Sequence, residues 1–419
     1  GVEFETANGW MTSRDQKTTL GADNGVALAM MLRLIEGSNT EHPPLELLMT
    51  VHEEDTGAGA KALTIPDNVT ALINLDSEDD KKFCIGCLGS IQNKIHMSDV
   101  HARRVDPQHR QLAISLIGLA GGHSGVDISK GRANAALLAV ELIKKLSEGV
   151  QSLSVTGLYA GQDGVSNVIP STFRLDIAYD KREENYVHGV VSDFLEMLVA
   201  KFEKSEKVSG IKITQTPLAD DQKQLLAIGD EALQKALATI GKLPNGVLTY
   251  ANDPIFADGM DVSSNLGYLN FTTSNDQTHF DFNLGVMVRG FTTQLMIQTN
   301  DEQIVPVLKQ LPGRFHNSDR APIPAWEPDR NSWLVAIAQK SRRDLGLRRL
   351  GLMSAPGGLE TALFLERRPD LPMISLGATM HEAHSNKEKL SLASLARVIT
   401  LLDKMLENMP LNLSSETKP

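Results

Sequence analysis

Cysteine is the scarcest reactive residue here: 419 residues contain two, Cys84 and Cys87. Two thiols cannot build a disulfide framework, so a reducing cytoplasm is the expected compartment. Their C-x-x-C spacing leaves three readings open: a thioredoxin-like redox pair, half of a zinc knuckle, or two small residues in a glycine-rich turn with Gly86 and Gly89. A four-thiolate site is excluded, because no second C-x-x-C exists. No apolar run approaches the ~18 residues that a membrane-spanning helix needs. The first twenty residues hold no apolar core, so no secretory signal is expected. Basic charge is in deficit, with 41 Lys and Arg against 52 Asp and Glu, a net charge of −11. That balance disfavours nucleic-acid binding. Low-complexity tracts are missing too, and only the tail Ser414–Pro419 reads as loose. An initiating Met is also lacking: the chain starts Gly1-Val2-Glu3, which suggests a processed N-terminus or missing upstream residues.

What remains is an ordinary globular composition, 41% hydrophobic and 22% charged. The length suggests about two to three domains. Asp23-Asn24-Gly25 opens a helix in which Ala27, Met31 and Leu34 share one face, and Gly37 stops it. Leu45–Val51 and Val69–Leu75 read as buried strands, each followed by acids. Continuous apolar strands alternating with helix suggest a parallel α/β sheet, whose sites gather at the carboxyl ends of the strands. Beyond residue 92 the texture changes. Strands are expected at Leu112–Leu119, Phe173–Tyr179 and Phe282–Val288, with helices at Arg132–Ser147, Glu184–Lys204 and Gln222–Ile240, an α+β layer. The proline-rich stretch Pro322–Pro328 marks a boundary, after which α/β texture returns. A helix starts near Ser332, Met373–Gly377 is a short strand, and Leu392, Leu395, Ile399, Leu402 and Leu406 form an apolar stripe on a final helix. The organisation expected is therefore 1–92 and 321–419 as one discontinuous domain, with 93–320 inserted.

Four clusters carry the chemistry: Gly21-Ala22-Asp23-Asn24-Gly25, His52-Glu53-Glu54-Asp55, Asn74-Leu75-Asp76-Ser77-Glu78 and Ala383-His384-Ser385. Asp, Glu and His are zinc ligands, and a catalytic zinc takes about three of them plus water. Adjacent carboxylates allow one to bind metal while the other serves as general base. Taken singly, Asp23 reads as a helix N-cap, Glu53-Glu54 as a solvated turn and His384 as structural. Their joint placement after successive elements is what points to a metal centre.

The ordered series Gly-Ala-Asp-Asn-Gly, Glu-Glu, Leu-Asp-Ser-Glu, Gly121-Gly122-His123-Ser124-Gly125, Asn-x-Ile-Pro and Ala-His-Ser resembles the dinuclear zinc exopeptidases, most closely their Xaa-His dipeptidase branch. Leu243-Pro244-Asn245-Gly246-Val247, Ser264-Asn265-Leu266-Gly267, Met287-Val288-Arg289 and Ala325-Trp326-Glu327-Pro328 extend the match over nearly the whole chain. The resemblance implies an α/β fold, a zinc-exopeptidase-type mixed sheet flanked by helices, with an inserted α+β lid and dimerisation domain. It implies Asp23 as the bridging carboxylate, Glu54 and His384 as ligands of one zinc, and Asp76 as a ligand of the other. Glu53 takes the general-base position. His123 matches the histidine that reaches a neighbouring subunit's site to stabilise an oxyanion. Asn167 and Arg289 match contacts to the substrate's carboxylate, a task that suits a guanidinium. Gly358 falls in the substrate-binding Gly-Leu-Glu.

The sequence departs from that pattern in three places. The family's first metal motif, a His-x-Asp, should precede Asp23, but no histidine occurs before His42. One zinc site then has its ligands while the other retains Asp23 and Asp76, and a chain lacking its first portion is suggested. Pro356 stands where the branch has a His, and His52 stands where Asp is common. His52 reads as non-ligating, with a compensating ligand role as the alternative. His381 lies three residues from His384, and the Ala-His-Ser context selects His384.

The activity implied is hydrolysis of dipeptides, of Xaa-His type with broad specificity. The cofactor is zinc, two ions per subunit in the family and one or two in this chain, whose second site retains two ligands, with Mn or Co as substitutes. The expected partners are a small peptide and a second copy in a homodimer, with no nucleic acid and no membrane. Two alternatives stand beside it: a catalytically impaired pseudo-peptidase acting as a binding or dimerising protein, and an N-acyl amino acid amidohydrolase.

Overall fold

The computed structural model describes residues 2–37, 41–54, 57–206, 210–218, 225–251, 253–256, 259–318 and 322–411. The chain divides into two compact units, one comprising Gly1–Leu88, Pro254–Ala257 and Pro324–Pro419, the other Gly89–Asp253 and Asp258–Ile323. Residues 55, 320, 321 and the tail 414–419 lie outside the described residues.

The first unit is α/β. One sheet runs in the order Gly351–Ala355, Lys82–Cys87, Met373–Ser375, Leu72–Asn74. Its outer pairs are parallel, while Ser375 meets Cys84 antiparallel. The sheet is therefore mixed, as the family resemblance implies and not all-parallel as the strand texture alone suggests, because Met373–Ser375 inserts between strands of opposite sense. Lys82–Cys87 is buried from its second residue onward, as a strand covered on both faces must be. Around this sheet a core forms from Val26 and Met30 of helix Ala22–Gly37, Leu334 and Ala338 of helix Trp333–Asp344, and Val398, Leu402 and Met405 of helix Leu392–Asn408. A second, antiparallel sheet joins Phe4–Ala7, Trp10–Ser13, Lys389–Ser391 and Met380–His381.

Leu45–Val51 is not a strand. None of the described strands pairs with it, and Met49 and Val51 are 45% and 64% exposed. An apolar run signals burial, but a strand also needs a neighbour for its backbone. The cysteines also depart from expectation: Cys84 and Cys87 lie in strand Lys82–Cys87, not in a turn, and both are free and buried.

The second unit is built on one large antiparallel sheet. Its order is Lys212–Pro217, Arg110–Ile117, Phe173–Tyr179, Ser154–Ala160, Met260–Thr273, Phe280–Gly290, Gly89–Val100 and Arg314–Asn317, with Gly246–Tyr250 also paired to Met260–Thr273. Helix Ala135–Gly149 packs on three of these strands and on helices Glu184–Phe202 and Asp230–Ile240. Asn134 caps it, accepting from the N–H groups of Ala136 and Leu137 at 3.0 and 3.3 Å. The helix expected from residue 222 starts only at Asp230, and residues 222–224 lie outside the described set. Leu226–Ile228 instead pairs antiparallel with Ala102–Arg104. Gly229 then turns the chain so close to His101 that a Cβ would sit 2.1 Å from its Nδ1.

Candidate metal centre and anion cradle

In the first unit three side chains able to ligate a metal converge. One donor atom each from Asp23, Glu54 and His384 lies within 4.8 Å of the others, the one such group found among the described residues. His384 Nε2 is 2.8 Å from Asp23 Oδ2 and 3.2 Å from Glu54 Oε1. Asp23 opens helix Ala22–Gly37 with non-helical backbone, Glu54 follows the irregular segment 41–52, and His384 occupies the loop between two short strands. His384 itself has φ +60°, a conformation uncommon for a residue with a Cβ and often found where a side chain is aimed for function. His52 and His381 are not members of the group. His381 instead packs its ring against Trp10, centroids 5.1 Å apart.

Glu388 was not singled out from the sequence, yet it builds the base of this centre. It is 1% exposed. Its carboxylate accepts from Gly21 N–H at 2.8 Å, from Asp23 N–H at 3.0 Å and from the Thr19 hydroxyl. Burial pushes its carboxyl up, but these hydrogen bonds outweigh it and hold the group below the usual range. Asn24 donates from Nδ2 to Asp76 Oδ1 at 2.5 Å and accepts at Oδ1 from Ala27 N–H at 3.1 Å. It thereby ties the helix start to the end of strand Leu72–Asn74.

Carboxylates crowd this region. Partial burial, then the charges of Glu54, Glu360 and Asp23, push Glu53 up to about 7. Burial, then Asp23 and Glu53, pushes Asp76 up to about 8. Glu54, Glu78 and Glu360 are also raised, with burial the main cause in each. Glu360 is fixed by the Thr50 hydroxyl at 2.6 Å on one oxygen, while its other oxygen is buried without a hydrogen-bond partner among the described residues. His384 is raised by its hydrogen bond to Asp23. So many mutually repelling carboxylates relax when a cation binds among them. Asp76 is electrostatically coupled to the group but not a member of it, and Gly358 is exposed in the segment before helix Thr361–Phe364.

His123, Asn167 and Arg289 meet in the second unit. Gly122–His123 pairs with Val168–Ile169, so His123 stands opposite Val168. Gly125 and Val126 both donate their N–H to His123 Nδ1 at 3.2 Å. That assigns the proton of the neutral ring to Nε2. Arg289 Nη2 lies 3.4 Å from this Nε2, and Arg289 Nε donates to Ser124 Oγ at 3.1 Å. Burial and the Arg289 charge lower His123 to about 4, so the ring stays neutral at pH 7. Two donors thus stand side by side, an arrangement that welcomes an anion. Asn167 is exposed, and its C=O accepts from Ser124 N–H at 2.9 Å.

The cysteine readings also resolve. Burial pushes the Cys84 and Cys87 thiols up to about 11 and about 12, and neither belongs to the metal-competent group. They are neutral core residues. No helix among the described residues is long and apolar enough to cross a membrane.

The chain is 28% identical over 409 residues to the cytosol non-specific dipeptidase of Escherichia coli (strain K12), covering 96% of this chain and 78% of that relative. Its structure is similar to that of the aminoacylhistidine dipeptidase from Vibrio alginolyticus, with a TM-score of 0.77 and 25% identity over 98% of this chain and 80% of that one. The aminopeptidase PepT from Bacillus cereus ATCC 10987 shares the fold, with a TM-score of 0.52 and 16% identity over 97% of this chain and 76% of that one. With residues 18–408 matching the model of peptidase family M20/M25/M40, the chain belongs to that family and is a hydrolase acting on peptide bonds.

Proposed function

We propose that this peptidase is a metal-dependent dipeptidase of the Xaa-His type with broad specificity, acting as a homodimer in the cytoplasm. The observation that carries the reading is the convergence of Asp23, Glu54 and His384 beside a third carboxylate, Glu53, that is not in the ligand group. Two oxygen donors and one imidazole suit zinc, with Mn or Co as substitutes, and leave a position open. Asp76 and Asp23 would hold a second ion. When bound, the cation supplies Lewis-acid polarisation and acidifies a water.

Each remaining role falls to a side chain. Glu53 takes the proton of the attacking water and later delivers it to the amine nitrogen that leaves. His123, with its Nδ1 occupied by two backbone N–H groups, reaches into the neighbouring subunit's site and offers Nε2–H to the oxyanion of the tetrahedral intermediate there. Arg289 and Asn167 hold the substrate's free carboxylate, and the Gly358 backbone borders the substrate. Residues 93–320 would act as the lid and dimerisation domain. A requirement for that carboxylate at one residue's distance from the scissile bond restricts substrates to short peptides. The names of the two dipeptidase relatives support the same substrate class.

Replacing Glu53 by Gln tests the reading. Turnover of Ala-His should fall by about 10²–10⁴-fold, the usual contribution of a general base, with bound metal unchanged. Retained turnover would remove Glu53 from the base role. Hydrolysis of N-acyl amino acids but of no dipeptide would move the activity to an amidohydrolase.

A further inference from the structure

We infer that Asn265 and the bulge at Gly267 are a positioning device for Asn167, and so set affinity for the substrate's carboxylate. This rests on the reading of Asn167 and Arg289 given above. Asn265 is 1% exposed and lies in strand Met260–Thr273, inside the sheet. Its Nδ2 donates to the C=O of Ser166 at 3.0 Å and to the C=O of Val168 at 2.8 Å. Those two carbonyls flank Asn167 on either side. One amide group therefore grips the backbone before and after the exposed residue, and no Asn167 atom is needed for the grip.

Gly267 brings the strand close enough for this. The pairing with Phe280–Gly290 slips one residue between Leu266 and Tyr268, a bulge at Gly267. A Cβ there would lie 2.4 Å from Ser166 Cα and 2.7 Å from Ser166 O. Only glycine lets the bulged strand touch the loop backbone, and bulges commonly re-aim side chains beside active sites. Ser166 is fully buried, and Gln92 donates to its hydroxyl at 2.6 Å. The far side of the loop is fixed by Ser124, whose N–H reaches Asn167 O and whose hydroxyl accepts from Arg289. Asn265, Ser166 and Ser124 thus hold the loop in register with the His123–Arg289 pair. Asn265 touches no substrate in this account.

The test compares Ala-His with its C-terminal amide on the metal-loaded full chain. Asn265→Asp replaces both donated hydrogens with acceptors facing two carbonyls. Gly267→Ala pushes Ser166 away by a different route and carries the test if Asn265→Asp does not fold. Asn167→Ala is the reference. Each of the three should raise KM for Ala-His about ten-fold with kcat little changed, the effect of loosening one hydrogen bond to a charged group. Each should also shrink the wild-type preference for the free acid over the amide. A merely structural role would lower the active fraction and leave KM and that preference intact, which overturns the inference. If Asn167→Ala itself leaves the preference unchanged, the carboxylate reading fails instead.

Discussion

Glu388 offers the most quantitative test of how the proposed metal centre is built. Its carboxylate, 1% exposed, accepts from two backbone N–H groups and one hydroxyl of residues 19–23, the segment that presents Asp23. Glu388→Ala leaves those donors without their acceptor. A hydrogen bond to a charged partner contributes about 1.5–3 kcal/mol, but three on one group are not additive and water enters the space vacated. A loss of about 3–5 kcal/mol is expected, a large part of the stability of an ordinary domain. With a urea slope of about 3 kcal/mol per molar, the midpoint should fall by about 1–1.7 M. Glu388→Gln keeps the shape and one acceptor oxygen and should lose about half as much. Trp10, Trp326 and Trp333 all belong to the unit that contains Glu388, so tryptophan fluorescence follows that unit alone. A Glu388→Ala midpoint within about 0.3 M of wild type would refute the reasoning, because it would mean water replaces the carboxylate at no cost.

Two further predictions concern groups away from the centre. Cys84 and Cys87, both buried and raised to about 11 and about 12, should not react with an aromatic disulfide reagent in the folded protein, and both should react once it is unfolded. Asp80 lies below its ordinary value, because hydrogen bonds from Thr379, Arg397 and Ser394 outweigh its burial. A depressed carboxylate stabilises the fold above its unfolded pKa of ~3.9, and that contribution is lost as pH falls through the lower folded value. Asp80→Asn should therefore destabilise the chain at pH 7 and narrow its difference from wild type in thermal melts below about pH 4. An unchanged difference at acid pH would assign the effect to lost shape rather than charge.

Much of the fold was legible where periodicity and pairing agree. Phe173–Tyr179 forms a strand with the bounds expected, and the stripe of helix Leu392–Asn408 packs as the spacing of Leu395, Ile399, Leu402 and Leu406 demands. Legibility ended where a neighbour decides the outcome. Leu45–Val51 has strand composition, yet none of the described strands pairs with it. Leu226–Ile228 sits in a stretch of helical texture, yet finds Ala102–Arg104 more than a hundred residues away. At the site, clusters of ligand residue types after predicted elements marked the segments, and the family resemblance picked Asp23, Glu54 and His384 out of them. Glu388 could not, since its partners lie some 365 residues earlier and nothing local marks it. The grip of Asn265 on residues 166 and 168 is equally silent, because a bulge leaves no trace but a glycine that could serve many purposes.

The central claim is that Asp23, Glu54 and His384 hold the cation on which peptide hydrolysis depends. Titrating zinc into the metal-free chain and into His384→Ala, with Ala-His hydrolysis followed on the same samples, tests it directly. The account predicts that wild type gains activity in step with zinc bound, and that His384→Ala binds at least about ten-fold more weakly and stays inactive at zinc levels that saturate wild type. Equal zinc affinity in the two proteins, or hydrolysis undiminished by metal removal, would contradict it.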